Sequence, residues 1–100
     1  MFIHYVNFWL KKTAPASTRE QLIAECRKYL GAVPTVQQLW SGPPAMTPRD
    51  VVDNSYDVGL CVVLEDSAGH DVYQVHDLHN EFIARNKANW ERVQVRDMIG

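Results

Sequence analysis

Apolar side chains along the first ten residues do not alternate with polar ones. In an extended chain Phe2, Val6, Phe8 and Leu10 share one face, while Ile3, Tyr5 and Trp9 share the other. Lys11-Lys12 end the run, so the pattern predicts a strand over Phe2–Leu10 that is greasy on both sides. The stretch Tyr56–Leu64 behaves the same way, with Val58, Leu60, Val62 and Leu64 opposing Gly59, Cys61 and Val63. Between these strands the period lengthens. Leu22, Ile23, Cys26, Tyr29 and Leu30 recur at helical spacing, predicting a helix from Ser17 to Leu30. Ser17 and Glu20 fit a capping box, and Gly31 fits a C-terminal cap.

Pro34 leads into a second strand over about residues 35–42. The segment 43–55 holds three of the five prolines and reads as a mobile surface loop. Glu65-Asp66-Ser67 offers caps to a helix that starts near Ser67 and carries Val72, Tyr73, Val75 and His76. A further helical stretch carries Phe82 and Ile83. Residues 90–97 form the last strand, with Val93 and Val95 on one face and Arg92, Gln94 and Arg96 on the other.

The order is β-α-β-β-α-β. It predicts an α+β, ferredoxin-like domain, a four-stranded antiparallel sheet with helices on one face. Helices cover one side only, so the second apolar face of the first and third strands would stand in water. Pairing face to face with a second copy removes that exposure, which predicts a homodimer and a dimeric α/β barrel. The alternative is that some other protein covers the face.

One hundred residues support a single core, so residues 1–100 make one domain. A net charge of -2, with no basic run longer than Lys11-Lys12, argues against nucleic acid as a partner. Cys26 and Cys61 lack a CxxC spacing and read as buried free thiols. Residues 1–10 have no signal-peptide pattern, and no apolar run reaches membrane-spanning length. The expectation is a soluble, cytoplasmic protein without a membrane partner.

Three features can carry chemistry. His4 interrupts an apolar strand on the face of Phe2, Val6 and Phe8, and so points toward the helices. In Tyr73-Gln74-Val75-His76-Asp77-Leu78-His79, Tyr73 and His76 are neighbours on a helix, as are His76 and His79. Tyr73 and His79 converge only if the helix breaks near Asp77, which could cap a second short helix. Tyr56-Asp57 opens the third strand. For each the bland alternative is a structural residue: a satisfied core histidine, half-exposed histidines at a helix junction, a strand-edge pair.

Two histidines three apart, with or without His4 or Asp57, are a weak metal signal, because a structural zinc site takes four ligands and His-x-x-His supplies two; no metal or other cofactor is expected. Neither a phosphate loop nor a nucleophile elbow is present. Tyr and His together can do proton work. A neutral imidazole accepts a proton near pH 7, and a phenol donates to a carbonyl oxygen as charge grows on it. Phe2, Phe8, Leu22, Tyr29 and Leu60 would wall a pocket for a small hydrophobic ligand bearing a few oxygens, with Tyr56 and His76 beside it.

These residues resemble the stress-responsive A/B barrel domain (Dabb) family over nearly the whole chain. The strand histidine is His4. The Gly-x-x-Pro after the first helix is Gly31 and Pro34, and the glycine ending the second strand is Gly42. The Gly-Tyr-Asp opening of the third strand is Tyr56-Asp57 preceded by Ser55. The Tyr-x-x-His-Pro-x-His signature is Tyr73, His76 and His79, with Asp77 in place of proline. The closing aspartate is Asp97. The resemblance implies a homodimer with facing sheets and a cavity between sheet and helices. Most members have no assigned reaction. In a plant polyketide cyclase of the family, an aldol-type enzyme, the catalytic pair falls on Tyr73 and His79 and the strand histidine on His4. Three functions follow: a ligand-binding, stress-associated dimer without catalysis; a cofactor-independent cyclase-like lyase with His79 as base and Tyr73 as carbonyl donor; and a cofactor-free monooxygenase or heme-binding relative.

Overall fold

In a computed structural model covering residues 1–100, the sheet is built around β1 (Phe2–Leu10), which has partners on both sides. It pairs antiparallel with β3 (Val58–Leu64) from Phe2↔Leu64 to Phe8↔Val58. On its other edge it pairs antiparallel with β4 (Trp90–Ile99) from Phe2↔Ile99 to Leu10↔Trp90. β2 (Val36–Gly42) adds to the free edge of β3, giving the spatial order β2-β3-β1-β4. The ladder with β1 carries β4 two residues past the expected Asp97. β3 starts two residues later than expected, because Tyr56-Asp57 turns into the strand. There the Asp57 carboxylate accepts the Leu10 amide at 2.7 Å and Arg19 Nη2 at 3.2 Å.

Helix α1 (Thr18–Tyr29) lies across the β3 half of the sheet. Its expected capping box does not form. Ser17 is already in the helical region (φ -77°, ψ -7°), and its side chain makes no cap hydrogen bond. Gly31 is not a left-handed cap either. It sits inside a 3₁₀ turn, Leu30–Ala32, that closes with Val33 N–H donating to the Leu30 carbonyl. The following helical segment is two helices, α2 (Ser67–Val75) and α3 (Asp77–Asn86). Asp66 caps α2 by accepting the Gly69 amide at 2.8 Å.

All the helices cover one face. Leu22, Cys26, Leu30 and Val33 meet Val58, Leu60, Val62 and Leu64, and none of these exceeds 1% exposure. Buried Glu25 of α1 accepts Arg85 Nε of α3 at 2.6 Å, which ties the two helices together. The other face of the sheet carries no helix, only Ser55 and Tyr56 of a loop against Trp9 and Gly59, so the domain is only 17 Å thick against 35 and 31 Å across. Ile3, Tyr5, Trp9, Cys61 and Val63 are half-buried there, while Trp40 and Met98 are exposed. Cys61 is therefore not the core thiol expected, although Cys26 is. The loop 43–57 runs outside the layers, mostly exposed, and holds neither helix nor strand. No helix is long and apolar enough to cross a membrane.

Candidate functional site

The site depends on the break between α2 and α3. His76 is extended (φ -64°, ψ 145°), and its Nδ1 accepts the Leu78 amide at 3.1 Å. The histidine is thus the cap, in the role expected of Asp77. Asp77 is instead the first residue of α3, where its charge suits the positive helix end. The bend swings His79 back toward α2. Six residues apart in sequence, Tyr73 and His79 meet edge to face with ring centroids 4.8 Å apart.

Below them lies a cavity of about 160 Å³ between α2–α3 and the β1–β4 half of the sheet. Strand positions facing the helices form its floor: Val6, Phe8, Leu60, Val93 and Val95, with Trp90 beside them. Tyr73, Phe82 and Ile83 form its roof. Val93 and Val95 are 41% and 48% exposed, so the cavity opens along the β4 edge. Two larger depressions, of about 440 and 300 Å³, are more open grooves on the surface. One lies at Lys11, Lys12 and Arg19, the other on the bare sheet face at Tyr5, Trp40 and Tyr56.

The titratable groups of the cavity gather at one end. His4 is 4% exposed, and its Nδ1 lies 2.6 Å from Asp97 Oδ1. The register makes this contact, because His4 pairs directly with Asp97 and both side chains point to the helix side. Tyr73 stands edge-on to His4 at 5.6 Å. His70, from the first turns of α2, is 5.2 Å from His4 and stacks on Phe2 at 4.3 Å. Burial, opposed by the Asp97 hydrogen bond, holds the His4 imidazole below its ordinary pKa, and the charge of His70 pushes the same way. Burial also lowers His79, with contributions from His4 and His70. Burial raises the Tyr73 phenol. At neutral pH His4, His79 and Tyr73 therefore present neutral rings. Two lining residues carry buried nitrogens without a protein partner, His79 Nδ1 and Trp90 Nε1.

Of the residues expected at the site, His4, Tyr73, His79, Phe8 and Leu60 come together. Five others do not line the cavity. Phe2 lies beyond His70, stacked on it. Leu22 is wholly enclosed beneath α1, where no space remains. Tyr29, at the end of α1, lies between the Lys28 and Arg85 cations. Tyr56 is on the opposite face of the sheet, where burial and the Tyr5 hydroxyl push its phenol up to about 12. His76 caps α3. Sequence reasoning missed Phe82, Ile83 and Trp90 as lining residues. It also missed His70, which no local pattern distinguishes. The alternation Val93, Val95, Asp97 could have placed Asp97 against His4, once the two edges of the sheet were put in register.

His4, His70 and Asp97 hold three potential metal-ligand atoms within 4.8 Å of one another. A hydrogen bond already joins two of them, and a structural zinc site takes four ligands. The cluster is better suited to handling protons.

A four-stranded ferredoxin-like sheet with a hollow under its helices defines an α+β domain of the A/B barrel class. The chain belongs to the stress responsive A/B barrel domain family, whose model matches residues 2–99. A Dabb family protein of Mesorhizobium loti superposes with a TM-score of 0.80 at 22% identity, over 99% of this chain and 95% of its own. A dimeric ferredoxin-like protein of unknown function from Thermobifida fusca gives 0.82 at 19% identity, over 99% and 90%. A hydroxynitrile lyase of Passiflora edulis gives 0.81 at 15% identity, over 99% and 92%. At these identities the likeness is one of fold. No functionally curated protein matches the chain in sequence.

Proposed function

We propose that the protein is a homodimer that binds a small, apolar, oxygen-bearing molecule in the cavity beneath α2 and α3. The observation that carries this reading is the cavity itself, whose apolar walls end in a cluster of Tyr73, His4 and His79 with unused hydrogen-bonding capacity. Its volume sets the scale of the ligand. A cavity of about 150 Å³ lined by Leu, Ile and Phe accepts benzene, so one six-membered ring fits here and a longer tail must leave along the β4 edge. Acetophenone is a suitable probe. The expected result is saturable binding with chemical-shift changes confined to Tyr73, His79, Phe82 and Val95, and Ile83→Trp should weaken it at least about tenfold by filling the space. Shifts centred on Trp40 and Tyr56, or binding that Ile83→Trp leaves unchanged, would overturn the reading.

The dimer rests on the bare sheet face, where Ile3, Tyr5, Trp40, Val63 and Met98 form an apolar surface that no helix covers. Dimeric proteins of the same fold, such as the Thermobifida fusca one, support it. A standard interface buries about 800 Å² per partner. Light scattering should give twice the 11.5 kDa chain mass, and Val63→Lys should return it to one. A wild-type mass of one chain at micromolar concentration would remove the dimer.

A second reading, a cofactor-independent lyase working by proton abstraction beside a carbonyl, is favoured by the convergence of Tyr73 and His79. In this reading the Tyr73 hydroxyl donates to the carbonyl oxygen, and an imidazole of the cluster takes the proton.

A further inference from the structure

Two imidazoles reach the cavity, and they differ in what stands behind them. His79 has nothing. Its Nδ1 is buried without a partner, so the chain neither fixes its tautomer nor offers a charge to balance a proton on it. His4 has a carboxylate behind it. A carboxylate can only accept, so the 2.6 Å contact places the proton of neutral His4 on Nδ1. That assignment leaves Nε2 as a bare lone pair. Nε2 makes no hydrogen bond within the chain, and the side chain to which it belongs is 95% enclosed and lines the cavity.

We propose that His4 and Asp97 form the proton-accepting couple of this cavity, with Asp97 as the positioning residue that turns the His4 Nε2 lone pair toward the weakly acidic proton of a bound ligand. The proposal rests on the cavity reading above and deepens it, because it selects ligands that carry an acidic O–H or C–H at one end. With a phenol, the O–H donates to Nε2. With an enolisable carbonyl compound, the C–H bond breaks and its proton forms the Nε2–H bond. The electron pair moves into the new C=C bond and onto the oxygen, where the Tyr73 hydroxyl donates. The imidazolium charge falls against the Asp97 carboxylate, and the proton later returns from Nε2, so the couple ends as it began.

The groups facing His4 fit this role. Asp97 on β4 stabilises the protonated ring, and His70 and Tyr73 on α2 lie at 5.2 and 5.6 Å. His79 on α3 packs against the same Tyr73 ring at 4.8 Å, and His4 acts on it directly through charge. Burial holds His79 in its neutral form, which does not oppose the transfer. A positive charge on a neighbouring imidazole would oppose it, so the couple should fail first on the acid side.

The test uses ¹⁵N-labelled protein, with the ring nitrogens of His4 identified by their loss in His4→Gln. Long-range proton–nitrogen spectra of the free protein should show Nδ1 carrying the hydrogen and Nε2 bare. Phenol should shift the Nε2 resonance, whereas anisole, the same ring without an O–H, should leave it in place. Asp97→Asn should weaken phenol binding about tenfold and anisole binding less than about twofold. A hydrogen on Nε2 in the free protein, or an equal loss for both ligands, would overturn the couple. If neither compound binds the wild type, the cavity reading fails, and the tautomer of the free protein still decides the couple.

Discussion

The two halves of the layer between sheet and helices are built from similar residues and packed differently. Beneath α1, over β3, Leu22, Cys26, Val58 and Val62 are at 0% exposure and leave no space. Beneath α2 and α3, over β1 and β4, a comparable set of apolar side chains surrounds a hollow of about 160 Å³. The difference comes from the helices. α1 is one uninterrupted element of twelve residues lying along the sheet. The second crossover is broken at His76 into helices of nine and ten residues, whose bend holds them off the edge strand. The first half serves stability, and the second gives up packing to keep a lined space.

That contrast can be broken most sharply by deletion in the solid half. Leu22→Ala should cost about 3 kcal/mol, lowering the melting temperature by roughly 15 °C for a domain of this size. Val93→Ala, at the mouth of the hollow, should cost less than about 0.5 kcal/mol because the side chain is already half in water. Urea denaturation of both at one protein concentration measures the difference. Equal losses would mean the hollow is filled in solution.

A smaller effect is expected from the tie between the halves. Arg85→Met removes the partner of buried Glu25 and should lower the melting temperature at pH 7 by less than Leu22→Ala does. Burial alone would raise the Glu25 carboxyl, but the hydrogen bonds from Arg85 and Gln21 and the Arg85 charge bring it below the ordinary value. A group depressed in the folded state contributes stability above its unfolded pKa and loses it as pH falls through the folded one. The gap between wild type and Arg85→Met should therefore close on acidification below about pH 4.5. A gap that stays constant down to pH 3 would show that the ion pair is not its source.

The smallest effect belongs to the hollow. His4 and His79 are both lowered in the folded state. The unfolded chain thus takes up protons first, and stability should fall as pH drops below about 6.5. His79→Gln should reduce that loss between pH 6.5 and 5, read from melting curves across the range. An unchanged slope would place His79 in water rather than against Tyr73.

Much of this molecule is legible in the chain. Both faces of β1 and β3, the helical stripe of α1 and the element order follow from residue spacing, because a side chain's direction in a strand or helix is set by counting. The inward turn of His4 follows in the same way. The wall of the cavity was less legible. Leu22 and Tyr29 share the apolar stripe of α1, but no count says that α1 lies over the filled half. Tyr56 falls on the outer face because the chain turns at Tyr56-Asp57 before the strand begins. The cap at His76 was hidden because histidine is a weak cap signal beside an aspartate.

From the sequence alone came the strands, the helices, their order and the two-sided greasiness of the central strands, all properties of local spacing and of how much apolar surface a chain must hide. Tertiary structure alone decided that Asp97 stands behind His4, that His70 joins them and that the space lies beside β4. Each depends on strand register and on the angle of one helix break, which bring together residues up to 93 positions apart, and no local pattern encodes a distance of that kind.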